Sequence, residues 1–310
     1  MFDAGFPDVG DAANKDTAVP SDAMDASVVD DGSCNPAAAF GTPTILAELA
    51  DPNYDERFPR LSPDERTIYY AFGPPAGPFV LFSAARVAST GPFGKGAAIA
   101  GLTPASGSDN NITVSADGLV ALISSNRTQG SVNPNVSQIW STSRANTSAA
   151  FATPVWSNTA FGSQNGDYDP YFVPGAGGLF YSANVTLSNP APHIRRGVFN
   201  AGGYSGASGP GFGTGNAVAE DRAPVVTPDE LRIYFASNAG PDGGVQPGGR
   251  IWTSTRPSSA VAWLAPWIVA ELAGFGTYPQ PGWISADGCR LYLTSNKSGR
   301  DAIYLAKRGK

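Results

Sequence analysis

The sequence has few of the residues that most catalytic and metal sites need. Its 310 residues include one histidine, His193, and two cysteines, Cys34 and Cys289. A structural zinc site takes about four His or Cys ligands, so this composition excludes that class. A Ser–His or Cys–His pair for nucleophilic catalysis is also disfavoured, since a single histidine would have to serve it. No run of about 18 apolar residues occurs, so no transmembrane segment is predicted.

A field of positive charge is absent too. The net charge is −6, and residues 1–33 hold eight aspartates against Lys15, which leaves the remaining 277 residues close to neutral at about +1. Nucleic acid is therefore not an expected partner. Residues 1–33 also have almost no bulky side chains with which to offset chain entropy, so they are predicted to be a disordered acidic spacer. No signal peptide is visible, and export is an inference from other features.

The residues that are plentiful are those of turns and strands. The chain has 37 Gly, 27 Pro and 11% aromatic residues. Turn-formers at this density, set between short aromatic and β-branched runs, are typical of many short strands joined by tight turns. The composition predicts an all-β fold.

Five gapless repeats predict that this fold has five sheets. Nine-residue segments of the type Ser-Pro-Asp-Glu-Arg-Thr-Ile-Tyr-Tyr, spaced 53 to 58 residues apart, begin at Ser62, Ser115, Val173, Thr227 and Ser285. Each indicates a turn followed by a strand, and a third strand then ends near an arginine in four repeats: Arg86, Arg144, Arg256 and Arg308. A fourth strand, opened by an aromatic residue, follows every repeat except the last.

The missing fourth strand stands at the other end of the chain. Phe40-Gly41-Thr42-Pro43 precedes the first repeat and has the sequence of a fourth-strand opening. A ring of four-stranded sheets leaves no sheet short when an N-terminal strand completes the last one. The prediction is therefore a single five-bladed β-propeller over residues 34–310, four antiparallel strands to a blade, with blades starting near residues 55, 108, 166, 220 and 278 and residues 40–49 closing the ring.

The closing strand also brings the cysteines together. Cys34 lies just before it, and Cys289 lies in the second strand of the last blade. A disulfide there would staple the ring, and the alternative is two buried thiols. A disulfide would place the protein in an oxidising compartment.

The repeats resemble a known family. The runs Pro59-Arg60-Leu61-Ser62-Pro63-Asp64 and Ser295-Asn296-Lys297-Ser298-Gly299-Arg300-Asp301 look like the WD40-like propeller repeat of TolB-type periplasmic proteins. The acidic segment followed by Ser33-Cys34-Asn35-Pro36 resembles exported, often lipid-anchored propeller proteins of myxobacteria. The resemblance covers residues 34–310 and implies protein–protein contact. The separate N-terminal α/β domain of TolB has no counterpart, so a role in the Tol system is not carried over.

Carboxylates mark one level of the predicted channel mouth. Six residues before each repeat segment stand Glu56, Asp109, Asp167 and Asp221, with Pro279 breaking the series. Like charges around a pore raise each other's pKa unless they are paired or bind a cation. Arg57 and Arg222 could neutralise two of them. Two interpretations remain open: acids that accept backbone N–H groups between blades, or a site on the axis for calcium, another cation or a polar ligand.

A second column of polar residues and three long loops belong to the same face. Asn126, Asn184, Asn238 and Asn296 each lie eleven residues after the start of their segment. Asparagine suits αL positions and loop hydrogen bonds, so the column is either structural or in contact with a ligand. The loops 128–138, 186–193 and 240–249 differ most between blades, and variable loops on a rigid scaffold commonly bind partners.

These features together predict a monomeric, exported, non-catalytic binding or scaffold module. Its partner would be a protein or a glycan, and its location periplasmic, outer-membrane-anchored as a lipoprotein, or extracellular. No cofactor is expected apart from the cation considered above. The alternative is a glycoside hydrolase, because such enzymes need only two carboxylates at about 5 to 9.5 Å. Asp109, Asp167, Asp169 and Asp221 are the candidates for that chemistry.

Overall fold

The computed structural model describes residues 34–128, 136–157, 166–175, 177–184, 191–200, 203–205 and 212–310. The spacer predicted for residues 1–33 lies outside the described residues, as do parts of the predicted binding loops 128–138 and 186–193. Within the described ranges, no helix is long and apolar enough to cross a membrane.

The chain forms five antiparallel sheets of four strands each, which we call blades one to five. The strand that comes first in the chain, β1 (Thr44–Ile45), belongs to blade five. Blade one contains β2 (Asp55–Leu61), β3 (Thr67–Gly73), β4 (Val80–Ala85) and β5 (Ala97–Ala98). Blade two contains β6 (Asp109–Val114), β7 (Val120–Ser125), β8 (Gln138–Ser143) and β9 (Val155–Trp156). The all-β, five-bladed prediction is confirmed.

The remaining blades repeat the same order. Blade three contains β10 (Asp167–Phe172), β11 (Gly178–Asn184), β12 (Pro192–Asn200) and β13 (Gly203–Ser205). Blade four contains β14 (Asp221–Val226), β15 (Arg232–Ala239), β16 (Val245–Thr255) and β17 (Trp267–Ile268). Blade five contains β18 (Gln280–Ile284), β19 (Arg290–Ser295) and β20 (Ala302–Lys307), and a 3-10 turn at Ala270–Leu272 precedes it.

Strand β1 closes the ring. It pairs antiparallel with β20, with Thr44 opposite Leu305 and Ile45 opposite Tyr304, and Phe40 makes a further bridge to Arg308. The strand order of blade five is β1-β20-β19-β18, so β1 takes the outer place that β5, β9, β13 and β17 take in the other blades. The predicted N-terminal closing strand is confirmed.

A disulfide joins Cys34 to Cys289, with 6.2 Å between their Cα atoms. It links the segment before β1 to the start of the β19 region of the same blade, across 255 residues of sequence. The predicted disulfide is therefore present.

The turn between the first two strands of a blade is held by a hydroxyl and a carboxylate. In blade four, Asp229 Oδ1 accepts hydrogen bonds from Thr227 Oγ1 at 2.5 Å and from the Leu231 N–H at 2.9 Å. The same arrangement occurs at Ser62 with Asp64, Ser115 with Asp117, and Ser285 with Asp287. Aspartate suits this position because its side chain satisfies turn N–H groups.

An arginine after the third strand ties each of four blades together. Its guanidinium lies over the aromatic ring that opens the fourth strand, at centroid distances of 4.3 Å for Arg86 and Phe93, 4.5 Å for Arg144 and Phe151, 4.3 Å for Arg256 and Trp263, and 3.9 Å for Arg308 and Phe40. Arg308 Nε also donates to the Gly288 carbonyl at 3.0 Å. The closing segment thus reproduces the contact made inside the other blades, and a cation over a ring adds to its packing.

Candidate functional site

The four predicted carboxylates lie at one level of the ring. Each stands opposite a residue near the end of its blade's second strand, and each is at most 1% exposed; the residues are Glu56, Asp109, Asp167 and Asp221. Their common register agrees with the repeat alignment. Burial of a carboxylate is costly unless hydrogen bonds or ion pairs compensate it.

Local partners compensate the buried acids. Asp109 is held by Arg127, whose Nε and Nη2 lie 2.9 and 2.6 Å from its two oxygens. Asp221 lies 2.9 Å from His193 Nδ1 and accepts a 3.2 Å bond from the Thr214 hydroxyl. Within the part of the chain that the structure describes, no three His, Cys, Asp or Glu side chains are grouped to hold a metal ion. The axial cation considered from the sequence stays a prediction.

Arg57 and Arg222 have partners other than the acids next to them. Arg57 Nη2 lies 2.8 Å from Asp55 and its Nε lies 2.7 Å from Asp301, whereas Arg222 Nε lies 3.1 Å from Glu220. The structure thus pairs these arginines with acids other than Glu56 and Asp221, which they were predicted to neutralise. Successive side chains of a strand point to opposite faces of the sheet, so an arginine and the acid beside it diverge.

The asparagine column binds backbone within its own blades. Asn126, Asn238 and Asn296 each use Oδ1 to accept the N–H of a residue in the loop that leads into the first strand; these N–H groups belong to Ser108, Glu220 and Thr277, at 2.6, 2.8 and 2.8 Å. Asn184 lies at the corresponding end of β11, and its N–H donates to Gly166 at 3.1 Å. The geometry supports the structural interpretation, and contact with a ligand stays a prediction.

Side chains fill the axis below the mouth. Arg60 is buried, with its guanidinium over the Tyr171 ring at 5.0 Å, and Trp283 lies against the same small void. Burial lowers the pKa of Arg60 to about 10. Above it, Asp169 accepts bonds from Asn111 Nδ2 at 3.3 Å and from the Ala223 N–H at 3.2 Å. These side chains leave little open space around Arg60.

The mouth face carries a cleft at the junction of blades five and one, which we call the closure cleft. Its volume is about 550 Å³. It lies where β1, the loop leading into β2 and the loop between β19 and β20 meet. Its lining residues are Ile45, Ala50, Asp51, Pro52, Tyr54, Glu56, Ser298, Gly299, Arg300, Asp301 and Ala302. Volume in this range and a mixture of apolar and polar lining groups are typical of ligand sites.

An aromatic ring is held rigidly at this cleft. Tyr54 is 39% exposed, and its ring stacks on Phe72 at 4.8 Å between centroids with 26° between planes. Phe72 in turn packs on Phe82 at 4.5 Å. Phe72, which is itself packed on Phe82, therefore supports one face of the Tyr54 ring and restricts its orientation.

Two carboxyl groups of the closure cleft have raised pKa values. Burial raises the pKa of Glu56 to about 8, and the nearby Asp51 and Asp55 add to the effect, although the Asp51 N–H donates to Glu56 Oε1 at 2.9 Å. Burial also raises the pKa of Asp301, against the opposing effect of Arg57. A pKa of about 8 favours the uncharged carboxylic acid at neutral pH, and this form can donate a hydrogen bond as well as accept one.

Sequence reasoning selected Glu56 and Arg57 but missed Tyr54 and Asp301. Asp301 meets β2 through its carbonyl, which accepts the Glu56 N–H at 3.0 Å, although 245 positions separate the two residues. The closing-strand prediction placed blades five and one side by side. It did not show which side chains of the two blades converge.

The buried acid Glu56 gives a pH-dependent stability. Its folded pKa is about 8 against an ordinary value near 4.5, so the unfolded chain releases this proton at lower pH and stability falls as pH rises from about 4.5 to 8. We expect Glu56→Gln to match the wild type near pH 4 and to exceed its free energy of unfolding by about 2 kcal/mol at pH 6. Urea titrations at both pH values measure the difference, in which the other acids cancel. A difference that stays constant with pH would contradict this account.

Comparison with known proteins supports the fold but does not identify a function. No protein-family model matches the chain, and no curated protein is significantly similar to it. Among solved structures, a family 117 glycoside hydrolase from Zobellia galactanivorans has a TM-score of 0.54 at 13% identity, over 87% of this chain and 90% of its own. The α-L-arabinofuranosidase PaAbf62A from Podospora anserina has a TM-score of 0.52 at 9% identity, over 89% and 98%.

A TolB-like protein from Agrobacterium tumefaciens is also similar, with a TM-score of 0.46 at 17% identity, over 79% of this chain and 71% of its own. The five four-stranded blades define the class as a five-bladed β-propeller. At these identities the similarity does not separate a binding module from an enzyme.

Proposed function

We propose that this chain is a non-catalytic binding module, and that the closure cleft on its mouth face receives a polar partner, a protein or a glycan. The observation that carries the proposal is the cleft itself, in which an exposed, rigidly supported Tyr54 stands beside polar groups including Glu56 and Arg300. Apolar surface with a few convergent polar groups is the usual composition of a binding site.

The buried acids of the ring support binding rather than catalysis. Asp109 and Asp221, two of the candidates for glycoside hydrolysis, are engaged with Arg127 and His193 inside the ring. Acids held in this way stabilise the blades and have no free carboxylate to present to a substrate. A rigid scaffold with structural acids and an open cleft suits recognition.

Export is part of the proposal. The disulfide between Cys34 and Cys289 would persist in an oxidising compartment, such as the periplasm or the cell exterior. The acidic segment 1–33 would then hold a monomeric propeller away from a lipid anchor of the kind that the resemblance implies. Detection of the protein in a periplasmic or outer-membrane fraction would test this part.

A variant that fills the closure cleft tests the binding site. Ser298 lies in the cleft lining and is exposed, so Ser298→Trp should occupy the cleft without disturbing a buried contact. Ser259→Trp is the matched control, since Ser259 is exposed in the loop between β16 and β17 on the opposite face. Wild type and variants are applied in solution to a glycan array. In a second experiment they are immobilised and exposed to a secreted-protein extract. We expect Ser298→Trp to lose the glycan or protein that the wild type and Ser259→Trp both bind. Equal binding by all three proteins would refute the assignment of the closure cleft as the binding site.

One observation favours glycoside hydrolysis as a second candidate. Glu56 and Asp301 line the same cleft, and both have raised pKa values, a property of carboxyl groups that act as acids near neutral pH. The test is turnover of arabinan, xylan and chromogenic glycosides by wild type and Glu56→Gln. Turnover lost in the variant would support the enzyme, and absence of turnover by wild type would end this candidate.

A further inference from the structure

We infer that the closure cleft binds an uncharged carbohydrate, with the exposed face of Tyr54 as the platform for a sugar ring. The inference rests on the proposed binding function and narrows it to one class of ligand. It follows from three features of the cleft: the supported ring, the balance of charge and the open wall opposite.

The Tyr54 ring is suited to stacking. One face of the ring is stacked on Phe72, which packs on Phe82, and Tyr54 is 39% exposed and lines the cleft. A ring fixed by stacking loses little conformational entropy when a ligand covers its free face. Sugar rings have apolar C–H faces, and an exposed, immobile aromatic ring provides matching apolar surface.

The cleft carries charges of both signs, and its charged lining residues include Asp51, Asp301 and Arg300. Asp301 lies 2.7 Å from Arg57, which also pairs with Asp55 at 2.8 Å. Burial raises the pKa of Glu56 to about 8, which favours its uncharged form at neutral pH. A cleft that presents little net charge does not favour an anion or a cation. Its carboxyl, guanidinium and backbone groups instead offer both donors and acceptors, as hydroxyl groups require.

The wall opposite leaves room. It is formed by the loop at Ser298 and Gly299, and a Cβ added at Gly299 would meet no atom within 4 Å. The cleft volume of about 550 Å³ lies within the usual range for small-ligand sites. It is open to solvent along the junction of blades five and one, so an oligosaccharide could extend beyond the ring that stacks on Tyr54.

A ring substitution with a matched control tests the inference. The probe is an array of neutral, sialylated and sulfated oligosaccharides, and the best-bound neutral oligosaccharide is then titrated by calorimetry. We expect Tyr54→Ala to weaken its affinity at least tenfold and Tyr54→Phe to keep it within about twofold, because stacking needs the ring and not the hydroxyl. Trp267→Ala removes an aromatic residue that is 45% exposed on the outer strand of blade four and should leave affinity unchanged.

Several results would overturn the inference, and they separate it from the proposed function. Equal affinities of wild type and Tyr54→Ala, or a ligand preference for sulfated or sialylated glycans, would refute the Tyr54 platform or the uncharged ligand. If the array retains nothing while wild type holds a secreted protein that Ser298→Trp releases, the carbohydrate inference fails and the binding function stands. If Ser298→Trp still binds every glycan and protein that the wild type binds, both the carbohydrate inference and the proposed binding function fail.

Discussion

Replacement of Phe40 by alanine is expected to lower the free energy of unfolding by about 3–5 kcal/mol, the usual cost of removing a buried phenylalanine ring. Phe40 is 4% exposed, lies under the Arg308 guanidinium at 3.9 Å and meets the Tyr234 ring edge-to-face at 6.0 Å. Its backbone bridges to Arg308 beside β20. The truncation therefore leaves a cavity at the point where the ring closes. Urea unfolding followed by tryptophan fluorescence measures the loss.

Phe151 provides the matched control for this substitution. It is also 4% exposed and lies under Arg144 at 4.5 Å, but its blade is continuous in sequence. We expect Phe40→Ala to cost at least as much as Phe151→Ala, and a double-mutant cycle of Phe40→Ala with Arg308→Ala to show coupling between the two side chains. A loss below about 1 kcal/mol, the size of an ordinary surface effect, would contradict a closing role for Phe40.

The fold was predictable because the same sequence pattern repeats in each blade. Three of the four arginines after third strands are followed in their own repeat by an aromatic residue that opens a fourth strand; these are Arg86, Arg144 and Arg256. This leaves Arg308 without an aromatic residue after it and Phe40 without an arginine before it. The structure supplies Arg308 as its partner. Because the opening of the fourth strand repeats along the sequence, the displaced copy at Phe40 could be recognised without an alignment of relatives.

The site was less predictable because its contacts cross between blades and do not repeat. The register of the four acids could be derived from spacing, whereas their partners could not. His193 Nδ1 meets Asp221 at 2.9 Å and Arg57 reaches Asp301 at 2.7 Å, and neither pair shares a repeat position. Both contacts depend on the rotation between neighbouring sheets and on which face each side chain leaves, which local pattern does not record.

The closure cleft exists where the repeat pattern is broken. In blade two the position after the asparagine column is Arg127, which covers Asp109 with two hydrogen bonds. Blade one has Gly73 in place of the asparagine and Pro74 in place of that arginine, so Glu56 is met by a backbone N–H from Asp51. The arginine is particular to blade two, since blades four and five have Ala239 and Lys297 at this position. Glu56 therefore lacks an arginine counter-charge of the kind that Asp109 has.

Removal of the disulfide is expected to lower the free energy of unfolding by about 2–4 kcal/mol, with about 5 kcal/mol as the upper limit from loop-closure entropy over 255 residues. The bridge joins the segment before β1 to the turn before β19, so it restrains the unfolded chain across nearly the whole ring. The substitution to make is Cys34→Ala with Cys289→Ala. The turn around Cys289 should survive it, because Asp287 and Ser285 hold the Cys289 backbone N–H at 2.9 and 3.1 Å.

The disulfide and Phe40 hold the same segment, and this makes their effects dependent on each other. With the bridge intact, a chain that has lost the Phe40 ring is still held at Cys34, so β1 stays close to β20. Without the bridge, the strand can leave the sheet and expose the edge of β20. We therefore expect Phe40→Ala to cost more in the cysteine-free protein than in the disulfide-bonded one. Urea midpoints for the four proteins, with reduction of the wild type as an independent route to the open form, give the coupling. Strict additivity would contradict the dependence between the two effects, and a cysteine-free protein as stable as the wild type would show that the bridge does not stabilise the ring.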